Sequence, residues 1–269
     1  MAETSTATVY RRLVHAQLRS QLAYRGSFAL TVAASMLGQL TELVAILAIF
    51  SRVQALAGFS REEVLLMYAL AGIAFGLADL VVGQVDELPR YLRTGRFDAL
   101  LVRPLSSLGQ LVASDFQLRR VGRSLTSAGV LVHVLSTVDI DWRWDTVLLL
   151  VLTPVAGAVI YGAVWVLAVS ACFWLIEGAE LVNSVTHGGN FLASYPIGVY
   201  PRWLRAGLAF VVPSAFVAYY PALGLLDRPD PLGGPAFLHW CAPPVAALLT
   251  AVTCVVWRTA VRHYRGSGS

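Results

Sequence analysis

The chain alternates long apolar runs with short polar segments. Most of these runs approach the roughly 20 residues that a helix needs to cross the ~30 Å hydrocarbon core of a bilayer. They predict six transmembrane helices, at residues 27–50, 64–83, 121–138, 146–173, 181–194 and 236–261. The pattern therefore indicates an all-α polytopic membrane protein with a single transmembrane domain at residues 27–265.

Two regions interrupt this pattern. The strictly apolar part of the third span is short, so Arg119, Arg120 and Arg123 are expected to snorkel to the membrane surface at its end. Between spans five and six, residues 195–235 are rich in proline and aromatic residues and too broken for one span. We expect outer re-entrant helices there, which dip into the outer leaflet and return.

The N-terminal segment has a pattern of its own. Residues 1–26 are predicted to form a polar tail and an amphipathic interfacial helix, whose arginines meet anionic headgroups. One face of this helix carries four apolar residues, Val9, Leu13, Leu18 and Leu22. An ordinary positive flank of the first span explains the arginines equally well. Residues 266–269, GSGS, resemble a cloning remnant and take no part in the prediction.

The composition agrees with a membrane protein. Hydrophobic residues make up 57% of the 269 residues and charged residues 13%, whereas about a quarter of the residues are charged in soluble domains. The formal net charge of +4 does not call for a nucleic-acid partner. A positive-inside distribution of arginine produces the same excess.

All 20 basic residues are arginine, and the missing lysine excludes two kinds of chemistry. A P-loop needs lysine to reach the β- and γ-phosphates, and a Schiff-base enzyme needs an amine. If nucleotide drives this protein, another chain binds it. Cys172, Cys241 and Cys254 lie apart within apolar runs, which argues against a disulfide framework or a zinc site.

Residues 86–123, between spans two and three, form an arginine island. Seven arginines fall in it: Arg90, Arg93, Arg96, Arg103, Arg119, Arg120 and Arg123. Short loops that collect positive charge stay in the cytoplasm. With the island inside, the six-span arrangement places 14 of the 20 arginines and both termini in the cytoplasm. A topology with residues 201–205 inside stays an alternative.

The island contains the signals of a short helix at residues 88–94. Asp86 is suited to the N-cap, Pro89 to the first turn and Gly95 to the C-terminal stop. One face then carries Leu88, Tyr91 and Leu92, while Arg90 and Arg93 lie off it. This helix is either a docking element for a soluble partner or part of a solvated linker.

Two carboxylates lie within predicted spans, where charge is costly at about 2.5–3.5 kcal/mol near a helix centre. Glu42 and Asp79 are therefore candidates to line a substrate path or to carry protons, unless each pairs or snorkels near a span end. In span five a polar stripe forms either a cavity wall or a hydrogen-bonded seam: Asn183, Thr186, His187 and Asn190. Because no HExxH, GxSxG or paired-carboxylate motif surrounds His187, an intramembrane hydrolase has no support.

Two motifs resemble the permease subunits of type-2 ABC exporters, in particular a bacterial six-span subgroup. The first is LRTGRFDALLVRP at residues 92–104, in the loop between spans two and three. The second follows span five, with YP at residues 195–196, PRWLR at 201–205, PSAF at 213–216 and YP at 220–221. The resemblance extends over nearly the whole chain, although Asp98 stands where the family's loop often has glutamate.

The resemblance implies a multi-pass permease of a bacterial inner membrane, without catalytic residues or a cofactor of its own. A separate ABC ATPase would bind ATP and Mg²⁺, and a second copy or a sister permease would complete the transporter. The cytoplasmic coupling helix would contact the ATPase through Glu87, Arg90, Tyr91, Arg93, Gly95, Arg96, Phe97 and Asp98. An outer re-entrant gate would contain Pro196, Pro201, Trp203, Pro213, Tyr220 and Pro221.

This reading predicts export of a hydrophobic or amphipathic substrate, such as a drug, a natural product, a lipid or a lipid-linked glycan. The alternative is an ion-coupled secondary transporter that uses Glu42 and Asp79. The chain lacks the internal repeat that many such carriers show. A membrane-embedded enzyme, or a receptor with no transport role, comes third.

Overall fold

A computed structural model describes residues 25–113, 120–175, 178–210 and 213–264. The regular secondary structure of these ranges is helical, and they contain no β-strand apart from an isolated bridge between Leu56 and Phe59. The predicted interfacial helix lies almost entirely outside them, as do residues 266–269. The α-helices are α1 Arg25–Phe50, α2 Arg61–Val82, α3 Leu88–Arg93, α4 Arg96–Leu101, α5 Ser107–Ala113, α6 Val121–Thr137, α7 Trp144–Ser170, α8 Gly178–Ala193, α9 Arg202–Phe210, α10 Tyr219–Leu225 and α11 Ala242–His263.

Four helical stretches of the described chain are long and apolar enough to cross a membrane. They are Phe28–Phe50, Arg61–Arg93, Trp144–Phe173 and Ala242–His263. The helices at the third and fifth predicted spans, α6 and α8, have 17 and 16 residues. At 1.5 Å per residue each measures roughly 25 Å, less than the hydrocarbon core. The all-helical membrane architecture is confirmed, and the count of six spans stays a prediction.

Helix α2 lies at the centre of the bundle. It packs against α6 on one side and α7 on another, while α11 packs along α7 and α1 packs mainly against α6. Residues 64–72 of α2 are all buried. A helix that is apolar all round needs neighbours on every side, and α2 has them.

Small residues allow α6 to approach α2 closely. A Cβ atom at Gly72 would overlap the hydroxyl of Ser127, and one at Gly76 would overlap that of Ser124. Gly122 meets α1 in the same way, at Ser35. Contacts of this kind hold membrane helices together because lipid offers no hydrophobic driving force between them.

Proline shapes the ends of several elements. Helix α7 continues through Pro154. Helix α11 begins at Ala242, with proline in its first turn, whereas the sequence predicted a start at residue 236. That prediction is wrong because Ala236–Trp240 form a separate 3₁₀ turn. Residues 195–235 form the short helices that their composition predicts, with α9 and α10 as the longest.

Candidate functional site

The short helix of the arginine island forms close to its predicted bounds. Helix α3 spans Leu88–Arg93 with proline in its first turn, and Gly95 follows with a φ of +67°, the left-handed conformation that ends helices. The predicted N-cap is wrong. Glu87 occupies that position, without a side-chain capping bond. Asp86 instead accepts a hydrogen bond of 2.6 Å from Nε1 of Trp165 in α7, which ties the start of the loop to the bundle.

The predicted faces of α3 are confirmed. Leu88 is buried, and Tyr91 and Leu92 pack partly buried against the core. Arg90 and Arg93 are exposed on the other side. Arg90 pairs with Glu87 at 2.6 Å, but both side chains are well exposed, so this pair stabilises the fold little. The arginines thus lie on the exposed side of the helix.

An aromatic cluster attaches the next helix, α4, to the bundle. Phe97 is fully buried, and its ring lies 5.2 Å from the rings of both Phe173 and Tyr264. Phe173 in turn contacts Trp257 of α11 at 5.6 Å. Burial and the neighbouring Asp98 carboxylate raise the pKa of the Tyr264 hydroxyl. Phe97 therefore supports the loop from beneath, where a partner cannot reach it.

A strongly exposed apolar side chain of the loop lies beyond the predicted coupling residues. Val102, in the turn after α4, is 86% exposed, and Leu101 before it is 42% exposed. Arg96 and Arg103 are exposed beside them in the chain. Apolar groups surrounded by arginine suit a protein contact better than open solvent. The sequence hinted at this in the LLVRP part of the first motif.

Asp79 is paired inside the bundle. Nη1 of Arg120 lies 2.8 Å from Oδ1 of Asp79 and donates to its backbone carbonyl at 2.9 Å. Nη2 of Arg120 donates to Gln84 at 3.3 Å. Both members of the pair are about one-fifth exposed, and Gly83 leaves the space they occupy. The pairing alternative for Asp79 is thus the one that the structure shows.

The ring of Phe75 in α2 is the centre of a second cluster. Ring centroids of Trp165, Tyr161 and His187 lie 5.3, 5.4 and 5.3 Å from it. The guanidinium carbon of Arg123 lies 4.7 Å from the same centroid. The predicted snorkelling is therefore wrong for Arg120 and Arg123, because both point to protein groups. Arg119 lies outside the described residues.

The polar stripe of α8 divides between the core and an open surface. Thr186 and Asn190 are buried, and the Thr186 hydroxyl donates to the carbonyl of Val182 in its own helix. His187 is exposed while its ring lies against the Phe75 cluster. The side chain of Asn183 lies outside the described part. Glu42, half-buried in α1, accepts a 3.4 Å hydrogen bond from Gln39.

The residues of the predicted outer gate also divide. Pro196, Pro213 and Pro221 are buried, and Tyr220 packs half-buried against neighbouring rings. Pro201 is exposed, as is Trp203, at 74%. Three of the predicted gate prolines are therefore buried, whereas Pro201 and Trp203 form an exposed edge at the start of α9.

A set of contacts that the sequence did not reveal joins the segment at residues 195–235 to the start of α2. Nη1 of Arg228 donates to both carboxylate oxygens of Glu63, at 2.8 and 2.9 Å, and its guanidinium lies over the Phe59 ring at 4.5 Å. Glu63 also forms a capping box with Ser60. Tyr219 donates to Asp230 at 2.6 Å beside it. No local signal links residues so far apart in the chain.

Comparison with known proteins gives one match. A family model described as "ABC-2 family transporter protein" matches residues 36–268, which include both motifs, the loop and the two clusters. No curated protein and no solved structure matches the chain.

Proposed function

The chain belongs to the ABC-2 transporter family, and on that premise we propose that it is the permease subunit of an ATP-driven exporter. Members of this family are the membrane components of transporters, and they associate with an ABC ATPase. Export, an amphipathic or hydrophobic substrate, and a second permease copy or sister permease are the further parts of this proposal. The location would be a bacterial inner membrane, with the arginine island and both termini in the cytoplasm.

The observation that supports the proposal best is the construction of the island. Its exposed side presents arginines and an apolar tip, and we call this set the docking surface: Arg90, Arg93, Arg96, Val102 and Arg103. Its hidden side is anchored by Leu88 and Phe97. A surface element whose charged side is exposed and whose apolar side packs against the core can transmit force from a soluble partner. The absence of lysine agrees with a nucleotide site on that partner.

The anchoring residues suggest a route for the coupled motion. The resemblance to type-2 ABC permeases implies that the N-terminal helix and the coupling helix transmit the movement to spans one, two and five. In the structure the Phe97 cluster contacts the ends of α7 and α11, and Asp86 contacts Trp165 of α7. ATP-driven closure of two ATPases would therefore move α7 and α11 together with α2.

The ion-coupled alternative is weakened by the contact at Asp79. A carboxylate that already pairs with Arg120 has its charge balanced, whereas coupling by protonation needs a group that can lose its partner. Transport that survives ATP depletion and follows a proton gradient would favour this alternative over the exporter.

Co-purification tests the proposal. The chain is expressed with its chromosomal neighbours, extracted in mild detergent, and every co-purifying protein is identified. We expect an ATPase with a P-loop, whose association depends on residues 87–95. A chain that purifies alone, with no ATP hydrolysis, would refute the exporter assignment.

Charge reversal on the docking surface should uncouple the complex. Replacing Arg93 and Arg96 with glutamate is expected to reduce substrate-stimulated ATP hydrolysis and transport at least about tenfold, because removing charge-assisted contacts costs about 1.5–3 kcal/mol. Membrane insertion should be unchanged. Arg143→Glu, exposed near the start of α7, is the matched control. Normal transport in the Arg93 and Arg96 variants would show that the partner docks elsewhere.

Cysteine labelling tests whether α8 lines the pathway. In a background without Cys172, Cys241 and Cys254, Asn190→Cys is expected to react with a membrane-impermeant thiol reagent in only one nucleotide state, because Asn190 is 2% exposed in this conformation. Ser184→Cys, at an exposed position of the same helix, is the comparison. Protection of position 190 in every state would identify a packed seam.

A further inference from the structure

The side chain of Arg123 is the most unusual charged group within the bundle. It reaches from α6 to the Phe75 ring, where its guanidinium carbon lies 4.7 Å from the ring centroid. Among the residues that the structure describes, it forms no ion pair and donates no hydrogen bond. A guanidinium carries five N–H donors and cannot be deprotonated in a protein, so it needs acceptors in this setting.

The carboxylates of the same region already have other donors. Asp79 pairs with Arg120 at 2.8 Å. Asp86 accepts the indole N–H of Trp165, and Glu42 accepts the amide of Gln39. The acids of this region thus have other donors, and within the described residues no acceptor takes an N–H of Arg123.

Arg123 is held in place without using those donors. Its contact with the face of Phe75 is a cation–π interaction, which depends on the charge rather than on the N–H bonds. The Phe75 ring also stacks on Trp165 at an interplanar angle of 25°, and both rings are buried. The planar N–H fork of arginine matches carboxylate and phosphate oxygens in a bidentate manner.

A second group in the cluster also lacks a partner. The Tyr161 hydroxyl is buried and has no hydrogen-bond partner in the described part of the chain, and the side chain is 3% exposed. Its ring contacts the same Phe75 ring as Arg123. A buried hydroxyl without a partner costs free energy, especially where lipid replaces water. The Tyr161 hydroxyl and the Arg123 guanidinium are thus two polar groups of this cluster without a hydrogen-bond partner among the described residues.

The cluster is open to a ligand on one side. His187 is exposed, and Arg123 and Glu42 are half-buried. A neutral apolar substrate would gain nothing from the guanidinium, and a cation would be repelled by it. A molecule with one oxyanion would satisfy the free donors while its apolar part stays in the membrane.

We propose that Arg123 binds the oxyanion of an amphipathic substrate, a carboxylate, phosphate or sulfonate group attached to an apolar body. This assignment of substrate class rests on the proposed transport function. The oxyanion has two possible sources, an anionic lipid of the bilayer or an acidic solute that partitions into it.

A charge series of one fluorescent probe tests the site. The full chain is placed in nanodiscs of phosphatidylcholine, and binding of pyrenebutyrate, its methyl ester and a pyrenebutyl-trimethylammonium analogue is measured by fluorescence anisotropy. The acid is expected to bind about 10- to 100-fold more tightly than the ester, the factor that charge-assisted hydrogen bonds supply. Equal binding of acid and ester, or preference for the cation, would overturn the proposal without any variant.

Variants then locate the oxyanion. Arg123→Gln should remove the preference for the acid, and Arg123→Lys should keep part of it, because lysine retains the charge but not the fork. Arg258→Gln, at an exposed position of α11, should leave it unchanged. An acid preference that survives Arg123→Gln in a well-folded protein would refute the assignment.

Two further arms separate the remaining questions. If phosphatidylglycerol in the nanodisc displaces the acid at a few mole per cent, the ligand is an anionic lipid; if it does not, the ligand is an acidic solute. No ATPase is present in this assay. If the chain prefers the acid but no ATPase co-purifies, the oxyanion site is supported and the exporter assignment is refuted. If an ATPase co-purifies but the chain shows no preference for the acid, the exporter assignment is supported and the oxyanion site is refuted.

Discussion

Replacing Arg120 with methionine is expected to destabilise the fold by about 3–5 kcal/mol, one of the two largest effects that we predict. The reason is that the Asp79 carboxylate, about one-fifth exposed, would lose the guanidinium that pairs with it at 2.8 Å. The free energy of unfolding can be measured by titration with sodium dodecyl sulfate in mixed micelles. A decrease below ~1 kcal/mol would mean that the pair behaves as a surface ion pair.

The matched controls distinguish a buried pair from a general loss of charge. In the double variant Asp79→Leu with Arg120→Met, both charges of the pair are removed, so most of the stability should return. Arg143→Met breaks the pair with Asp145, in which the arginine side chain is 61% exposed. It should change the free energy of unfolding by less than ~1 kcal/mol.

Replacing Gly76 with leucine should have a comparably large effect on stability, because the larger side chain would push α2 away from α6. A Cβ atom there would lie 3.1 Å from the backbone nitrogen of Ser124 and overlap its hydroxyl, and helix backbones cannot yield as side chains do. Overpacking costs ~1–3 kcal/mol and more when the backbone must move. We expect Gly76→Leu to lose the monodisperse species in size-exclusion chromatography.

Position 129 provides the control for this prediction. Gly129 is also a glycine of the α2–α6 pair, but nothing lies within 4 Å of a Cβ atom built there. Gly129→Leu should therefore purify like the unchanged chain. If Gly76→Leu also purifies normally with unchanged thermal stability, the two helices are not in close contact.

Much of the architecture could be predicted from local pattern. Apolar runs located the helices to within a few residues, except at the start of α11, where Pro243 and Pro244 place the first turn after a separate 3₁₀ segment. The faces of α3 followed from helical periodicity, and Gly95 ended it as expected. These features depend on residues that are close together in the chain, so local sequence pattern is enough to predict them.

The candidate site was predicted less completely. Arg123 was expected to snorkel because it stands at the end of a short span, but it lies over Phe75, which comes 48 positions earlier in the printed sequence. Asp86 was assigned to a helix cap and instead binds Trp165. In both cases the side chain makes a contact with a residue far away in the sequence instead of the local contact that was predicted. The distant contact is favoured because it stabilises the charge of Arg123 or gives the Asp86 carboxylate a hydrogen-bond donor inside the bundle.

The sequence by itself determined that this chain is a helical membrane protein, that it cannot bind ATP through a P-loop, and that it resembles ABC-2 permeases, the family that the comparison confirms. Composition, periodicity and contiguous motifs carry that information. Only the tertiary structure decided which charges are paired, that Phe97 is an anchor and Val102 a surface group, and that Arg123 lies over the Phe75 ring. Those properties depend on helices meeting across the bundle, and pair contacts between distant positions leave no local signal in a single sequence.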